Sequence, residues 1–84
     1  MTTELRTHNQ HRRDRMARFA QSQGVPTFAT NGLTRKFELN DRVMCYKPVG
    51  RGLWTVEARI NHIVEATVSV SEDRMRQLIL QAAL

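Results

Sequence analysis

A single cysteine, Cys45, excludes an internal disulfide framework and fits a reducing compartment, so the cytoplasm is the expected location. No stretch approaches the length of a membrane span, and the first twenty residues lack the apolar core of a secretory signal. Those residues are Arg-rich, as organelle transit peptides are, but Glu4, Asp14 and the scarcity of serine speak against one. With only two prolines and four glycines, no low-complexity tract or internal repeat is present. Acidic residues are outnumbered 13 to 8 and scattered, and none forms a pair at a spacing suited to general acid–base work. His8 and His11 stand three apart, but no second pair of ligands completes a tetrahedral metal site. Cys45 lies in a strand-like run with no activating base beside it, which reads as a small buried hydrophobe. The expectation is a non-enzymatic protein with no metal and no cofactor.

What is present begins with an alternation from Trp54 to Val70. Even positions are apolar (Trp54, Val56, Ala58, Ile60, Val64, Ala66, Val68 and Val70) except His62, and odd positions are polar except Ile63. Strand side chains point to opposite faces with period two, so this run builds one dry and one wet face. At roughly 3.3 Å per residue it would outrun a small domain if straight, so it must bend or fold back. The two exceptions place that bend or turn within Asn61–Ala66. Val56, Ala58, Ile60, Val68 and Val70 are the expected dry face.

Hydrophobic and charged contents of 40% and 25% are ordinary for a globular chain, which argues against wholesale disorder. The length suits one small domain, 1–84, with a modest core. Residues 1–9 carry few large apolar groups and read as a frayed arm. A basic helix follows from about Gln10 to Ser22, with Met16, Phe19 and Ala20 on its apolar side. Gly24 and Pro26 stop it. Residues 24–34 read as a loop with Asn31-Gly32 as a tight turn, which becomes a hairpin turn if Thr27–Thr30 is a short strand. A strand from about Lys36 to Tyr46, kinked near Asn40, puts Phe37, Leu39, Val43 and Cys45 in one row. Pro48 ends it, and Gly50-Arg51-Gly52 supplies a flexible tip. Ser71 caps a C-terminal helix with Glu72 and Asp73 at its positive end. Met75, Leu78, Ile79 and Ala82 form that helix's apolar stripe, and Leu80, Ala83 and Leu84 lie off it. The fold class is α+β: an N-terminal basic helix, a small antiparallel sheet of two to four strands (flat or curled like an SH3 barrel), and an amphipathic C-terminal helix packed on the sheet.

Short stretches resemble known modules. Asp41-Arg42-Val43, then Trp54, Ala58 and Ile60, resemble SH3-like barrels of the Tudor and integrase-tail kind. Leu33-Thr34-Arg35, then Val68-Ser69-Val70 before a helix, are similar to small RNA-binding carbon-storage regulators. Ser71 and Glu72 stand where those regulators place an arginine, and most of their first hairpin is missing. Each likeness covers only the residues quoted.

Charge is uneven along the chain. Residues 1–52 hold ten Lys or Arg and four Asp or Glu, against three and four in residues 53–84. Eleven of the thirteen basic residues are arginine, whose planar fork suits phosphate, although a biased codon supply enriches arginine too. Arg12, Arg13, Arg15 and Arg18 form one basic set on the first helix, and arginine-rich helices of antitermination proteins resemble it. Arg35, Lys36, Arg42, Lys47 and Arg51 form a second set around the first hairpin, where glycine on both sides of Arg51 permits close approach to a phosphate. Among the aromatics, Trp54 shares the dry row and reads as core, whereas Tyr46 shares parity with Arg42 and Met44 and is the candidate exposed ring for stacking. The leading expectation is a small regulatory protein that binds nucleic acid, RNA or DNA, through these ten residues. The alternative is a protein-binding inhibitor or adaptor, of the kind mobile elements carry, acting through a strand edge or the C-terminal helix. Surplus apolar residues in that helix would equally serve a homodimer. No membrane partner is expected.

Overall fold

The computed structural model describes residues 3–84, with side-chain surroundings from residue 6 onward. Two helices and five antiparallel strands make an α+β fold: α1 (Thr3–Ser22), β1 (Phe28–Ala29), β2 (Arg35–Leu39), β3 (Arg42–Pro48), β4 (Trp54–Ile60), β5 (Ile63–Val70) and α2 (Glu72–Ala82). The strands pair in chain order as an open meander with β1 and β5 at its edges. The expected two to four strands are thus five, and no pairing of β1 with β5 closes them into a barrel.

Helix α1 starts at Thr3, well before Gln10, so residues 3–9 of the expected frayed arm are helical, while Met1 and Thr2 lie outside the described residues. The turn around Asn9 is docked, because Asn9 is buried and its Oδ1 accepts from Arg12 at 3.1 Å. At the other end Gly24 takes φ 76°, the Val25 amide donates to the Ala20 carbonyl, and the Gly24 amide donates to Gln21. This is a Schellman cap, and Val25 and Ala20 pack together in the core beside it.

Two tight turns decide the strand register. Asn40 and Asp41 take φ 52° and 64°, as the left-handed pair of a two-residue hairpin turn requires, and Leu39 lies opposite Arg42. Residues 36–46 are therefore two strands folded back, not one kinked strand. A two-residue turn makes positions 39 and 42 face the same way, so parity flips across it. Phe37 pairs with Met44 on the helix side, while Cys45 pairs with Lys36 and Glu57 on the other side. The buried row expected to hold Cys45 is corrected accordingly: the thiol is half-buried on the opposite face from Phe37. Asn61 and His62 repeat the device, with φ 49° and 67°, inside the window predicted for a bend. A bulge opposite Ala58 and Arg59 then restores parity, so Ala66, Val68 and Val70 share a face with Ala58, Val56 and Trp54.

Both helices lie on one face of the sheet. Met16, Ala20 and Val25 join Phe37, Met44, Tyr46, Trp54, Val56, Met75, Leu78 and Ile79 in a single buried cluster. Burying each large side chain of this kind stabilises the fold by about 1.5–3 kcal/mol. Ser71 caps α2 as expected, its Oγ accepting from the Arg74 amide at 3.1 Å. The expected dry face is only partly dry: Val56 is buried, Ala58 and Val70 pack against the cluster, but Val68 is 51% exposed. The helices cover β2, β3 and β4 and leave β5 exposed from Ile63 to Ser69, with only Val70 at its end packed against the core.

Candidate nucleic-acid interface

Arg12 does not face solvent. It is 4% exposed, its guanidinium lies 5.1 Å from the centre of the Trp54 ring, and its nitrogens donate to the Val49 carbonyl at 2.7 Å and the Leu53 carbonyl at 2.8 Å. Glu72 completes the arrangement, 3.8 Å from Arg12 and accepting from Trp54 Nε1 at 2.7 Å. One side chain thus ties α1 to the β3–β4 connection, to β4 and to the first turn of α2. Its expected role as a phosphate contact is corrected to a structural one, since it stands four residues before Met16, on the buried side of α1.

The remaining α1 residues divide by angle. Arg13 pairs with Asp14 at 3.0 Å and donates to the Gly32 carbonyl at 3.4 Å, half-buried beside the β1–β2 turn. Arg15 and Arg18 are exposed, as are His8 and His11. Positions 8, 11, 15 and 18 recur at helical spacing and make one ridge directed away from the sheet. Among the described residues no acidic group lies within ion-pair distance of Arg15 or Arg18.

Around the hairpins most of the expected cations are engaged. Arg35 is half-buried and clamps Thr27, donating to its Oγ1 at 2.9 and 3.1 Å and to its carbonyl at 3.0 Å. Arg42 makes a two-pronged bond to Glu65, at 2.8 and 3.1 Å. The β5 bulge supplies the extra residue that brings Glu65 within reach. This hydrogen-bonded pair raises the Arg42 pKa above its usual value and lowers that of the Glu65 carboxyl, each mainly through the shared hydrogen bonds. Lys36 and Lys47 are exposed on the helix-free face, and Arg51 is exposed at the tip with φ 61°.

Tyr46 is corrected from an exposed ring to a core residue, 1% exposed. It packs edge-on to Phe37 at 5.6 Å and tilted against Trp54 at 5.8 Å. Tyr46 does share parity with Arg42 and Met44, but that row faces the helices. Its hydroxyl is buried without a well-formed hydrogen bond. Burial raises its pKa, with Thr27 and Arg35 pulling weakly the other way. Trp54 is buried, as its place in the dry row implied.

The helix-free face is a shallow concavity of about 600 Å³ lined by Lys36, Cys45, Lys47, Thr55, Glu57 and Arg59 among others. Arg59, paired with Glu57, was not among the expected contacts, although its odd place in the alternating run put it on this wet face. Phe28 is 57% exposed and lies opposite Lys36 in the β1–β2 register, which no local pattern could show. The ten expected residues therefore do not form one surface. Arg15 and Arg18 stand on the helix layer, Lys36 and Lys47 on the opposite face.

Among the described residues no cluster of three or more His, Cys, Asp or Glu is placed to hold a metal, and no helix is long and apolar enough to cross a membrane. Comparison with protein-family models, curated proteins and solved structures finds no match.

Proposed function

We propose that this protein is a small non-enzymatic regulator that binds nucleic acid, contacting phosphates chiefly through the exposed ridge of α1. The observation that carries the reading is the contrast among its arginines. Arg12, Arg13, Arg42, Arg59 and Arg76 are paired with acids, and Arg35 is bonded to Thr27. Arg15 and Arg18, on a ridge with His8 and His11, have no acidic partner among the described residues. The formal charge of +5 favours approach to a polyanion. Arg51, exposed at a glycine-flanked tip, is a further phosphate contact in this reading, and Arg12 and Tyr46 are not contacts.

The test is fluorescence anisotropy of a labelled DNA duplex and a labelled RNA hairpin across a salt series. With about two to four phosphates neutralised, log affinity should fall against log salt with a slope near −2 to −4. Replacing Arg15 and Arg18 by Gln should weaken binding to every sequence and flatten the slope. Absence of binding by the wild-type protein near 50 mM salt, where phosphate contacts are strongest, would overturn the reading. An inhibitor or adaptor that docks on another protein would then be the reading to adopt; its support is the uncovered β5 edge.

A further inference from the structure

We infer that two copies of this chain pair antiparallel through β5, joining their sheets into one of ten strands. The inference does not depend on nucleic-acid binding. Among the described residues strand β5 hydrogen-bonds only to β4, and beyond the bulge at Glu65 its outer edge runs regularly through the five residues Ala66–Val70, about 16 Å of backbone donors and acceptors. Monomeric proteins blunt such an edge with lysine, proline or a covering element. The stretch Ala66–Val70 has none of these: it contains no charge, proline or glycine, and Thr67, Val68 and Val70 are β-branched. Ile63 and Val68 are 70% and 51% exposed on the same strand.

The occupant follows from charge and from the other edge. Strand β5 is the only one of the four long strands without lysine or arginine, so two molecules of net charge +5 can approach there without cations meeting. Its single charge, Glu65, is held by Arg42. A twofold axis through Thr67 sets Ala66 opposite Val68 of the second copy and Glu65 opposite Ser69, so no like charges meet. At the far edge β1 offers only two residues, too short a template for head-to-tail addition. Pairing is therefore isologous and closes at two chains rather than propagating. A single strand pair is a small interface by the standard of about 1,000 Å² for stable complexes, so the association expected is weak, at about micromolar or higher dissociation constants.

Sedimentation equilibrium of the full chain from about 1 μM to about 1 mM spans that range. The mass should rise from 9.7 kDa toward twice that value. Thr67→Lys brings two ammonium groups together near the axis and should weaken association at least about tenfold; Thr67→Glu should do the same, and an equimolar mixture of the two should restore the dimer. Amide exchange of Ala66–Val70 in the wild-type chain supplies a readout that needs no variant, since protection there should grow with concentration. A mass that stays at 9.7 kDa throughout overturns the inference. A dimer unaffected by Thr67→Lys, or one lost instead on Leu80→Gln, overturns it equally, the latter by moving the contact to α2.

Discussion

Arg12 holds its charge where water scarcely reaches, and the cost of that burial is offset by two carbonyls, an aromatic face and Glu72. Replacing it by Met keeps much of the volume but leaves the Val49 and Leu53 carbonyls without their donor and takes from Glu72 one of its two cations, Arg76 remaining at 3.7 Å. With Glu72 still partly solvated, Arg12→Met should destabilise the fold by about 2–4 kcal/mol, whereas Arg15→Gln should stay within about 0.5 kcal/mol. Urea unfolding followed by the single tryptophan measures both; equal midpoints would show that the buried arrangement contributes nothing. Both arginines belong to one basic block in the sequence, and composition does not separate them. Helical phase does, because position 12 falls four before Met16, but a run of arginines reads first as charge and only second as geometry. Tyr46 presents the converse case. Its hydroxyl is buried without a proper partner, so Tyr46→Phe should be neutral or stabilise by up to about 1 kcal/mol. As its pKa is raised in the fold from the ordinary 10.0, the neutral ring's contribution is fully present below that value. It is lost as pH rises through the raised one. Thermal melts above pH 10 should therefore fall less steeply for Tyr46→Phe than for the wild type. Equal slopes would place the hydroxyl in water.

The alternation that marks β4 was legible because a strand with one buried face leaves a period-two imprint, and Trp54 and Val56 are buried where that imprint put them. The flanking strands were less legible for a reason of counting. Each two-residue turn reverses the relation between parity and face, and neither Asn40-Asp41 nor Asn61-His62 has the Asn-Gly signature that announces such a turn. Missing the first misplaced Cys45. At the second, the bulge near Glu65 cancels the reversal, so the even row resumes from Ala66, while Val64 before the bulge falls opposite Arg59 on the wet face. The absence of glycine also implies strain, since His62 sits at φ 67°, a region that costs a non-glycine residue about 1 kcal/mol. His62→Gly should stabilise the protein by about 0.4–1 kcal/mol. A lower melting temperature for this variant would mean that the histidine ring makes a contact of its own. Helix α2 was the easiest element to place: its stripe is narrow, its cap is a serine, and Met75, Leu78 and Ile79 are all buried. What no local pattern showed is how far the helices reach. Coverage of β5 depends on where α1 and α2 settle, and that is fixed by Arg12, Trp54 and Glu72 acting across the chain.

Two helices on one face of a five-stranded sheet give the molecule two chemically different sides. The helix side presents His8, His11, Arg15 and Arg18, and among the described residues no acid lies within ion-pair distance of the two arginines. The sheet side presents Lys36 and Lys47, but interleaved with Glu38, Glu57 and the engaged Arg59. Sequence order suggested one basic half; folding distributes it over opposite layers, and the mixed charges of the sheet side weaken its field. A rigid duplex touches one side at a time. If the helix ridge is where phosphates bind, replacing Lys36 and Lys47 by Gln should change duplex affinity only through net charge, a modest decrease with little change in the salt slope. Replacing Arg15 and Arg18 by Gln should lower the magnitude of the slope by about 2, roughly one unit for each phosphate no longer neutralised. The four-residue variant should then match the slope of the arginine pair alone. A slope that falls further when the lysines are also removed would mean that the nucleic acid reaches both layers, as a single strand can by wrapping over the β1 edge past Phe28. Comparing a duplex with a single strand of equal length decides between these outcomes, because only the flexible strand can follow that path.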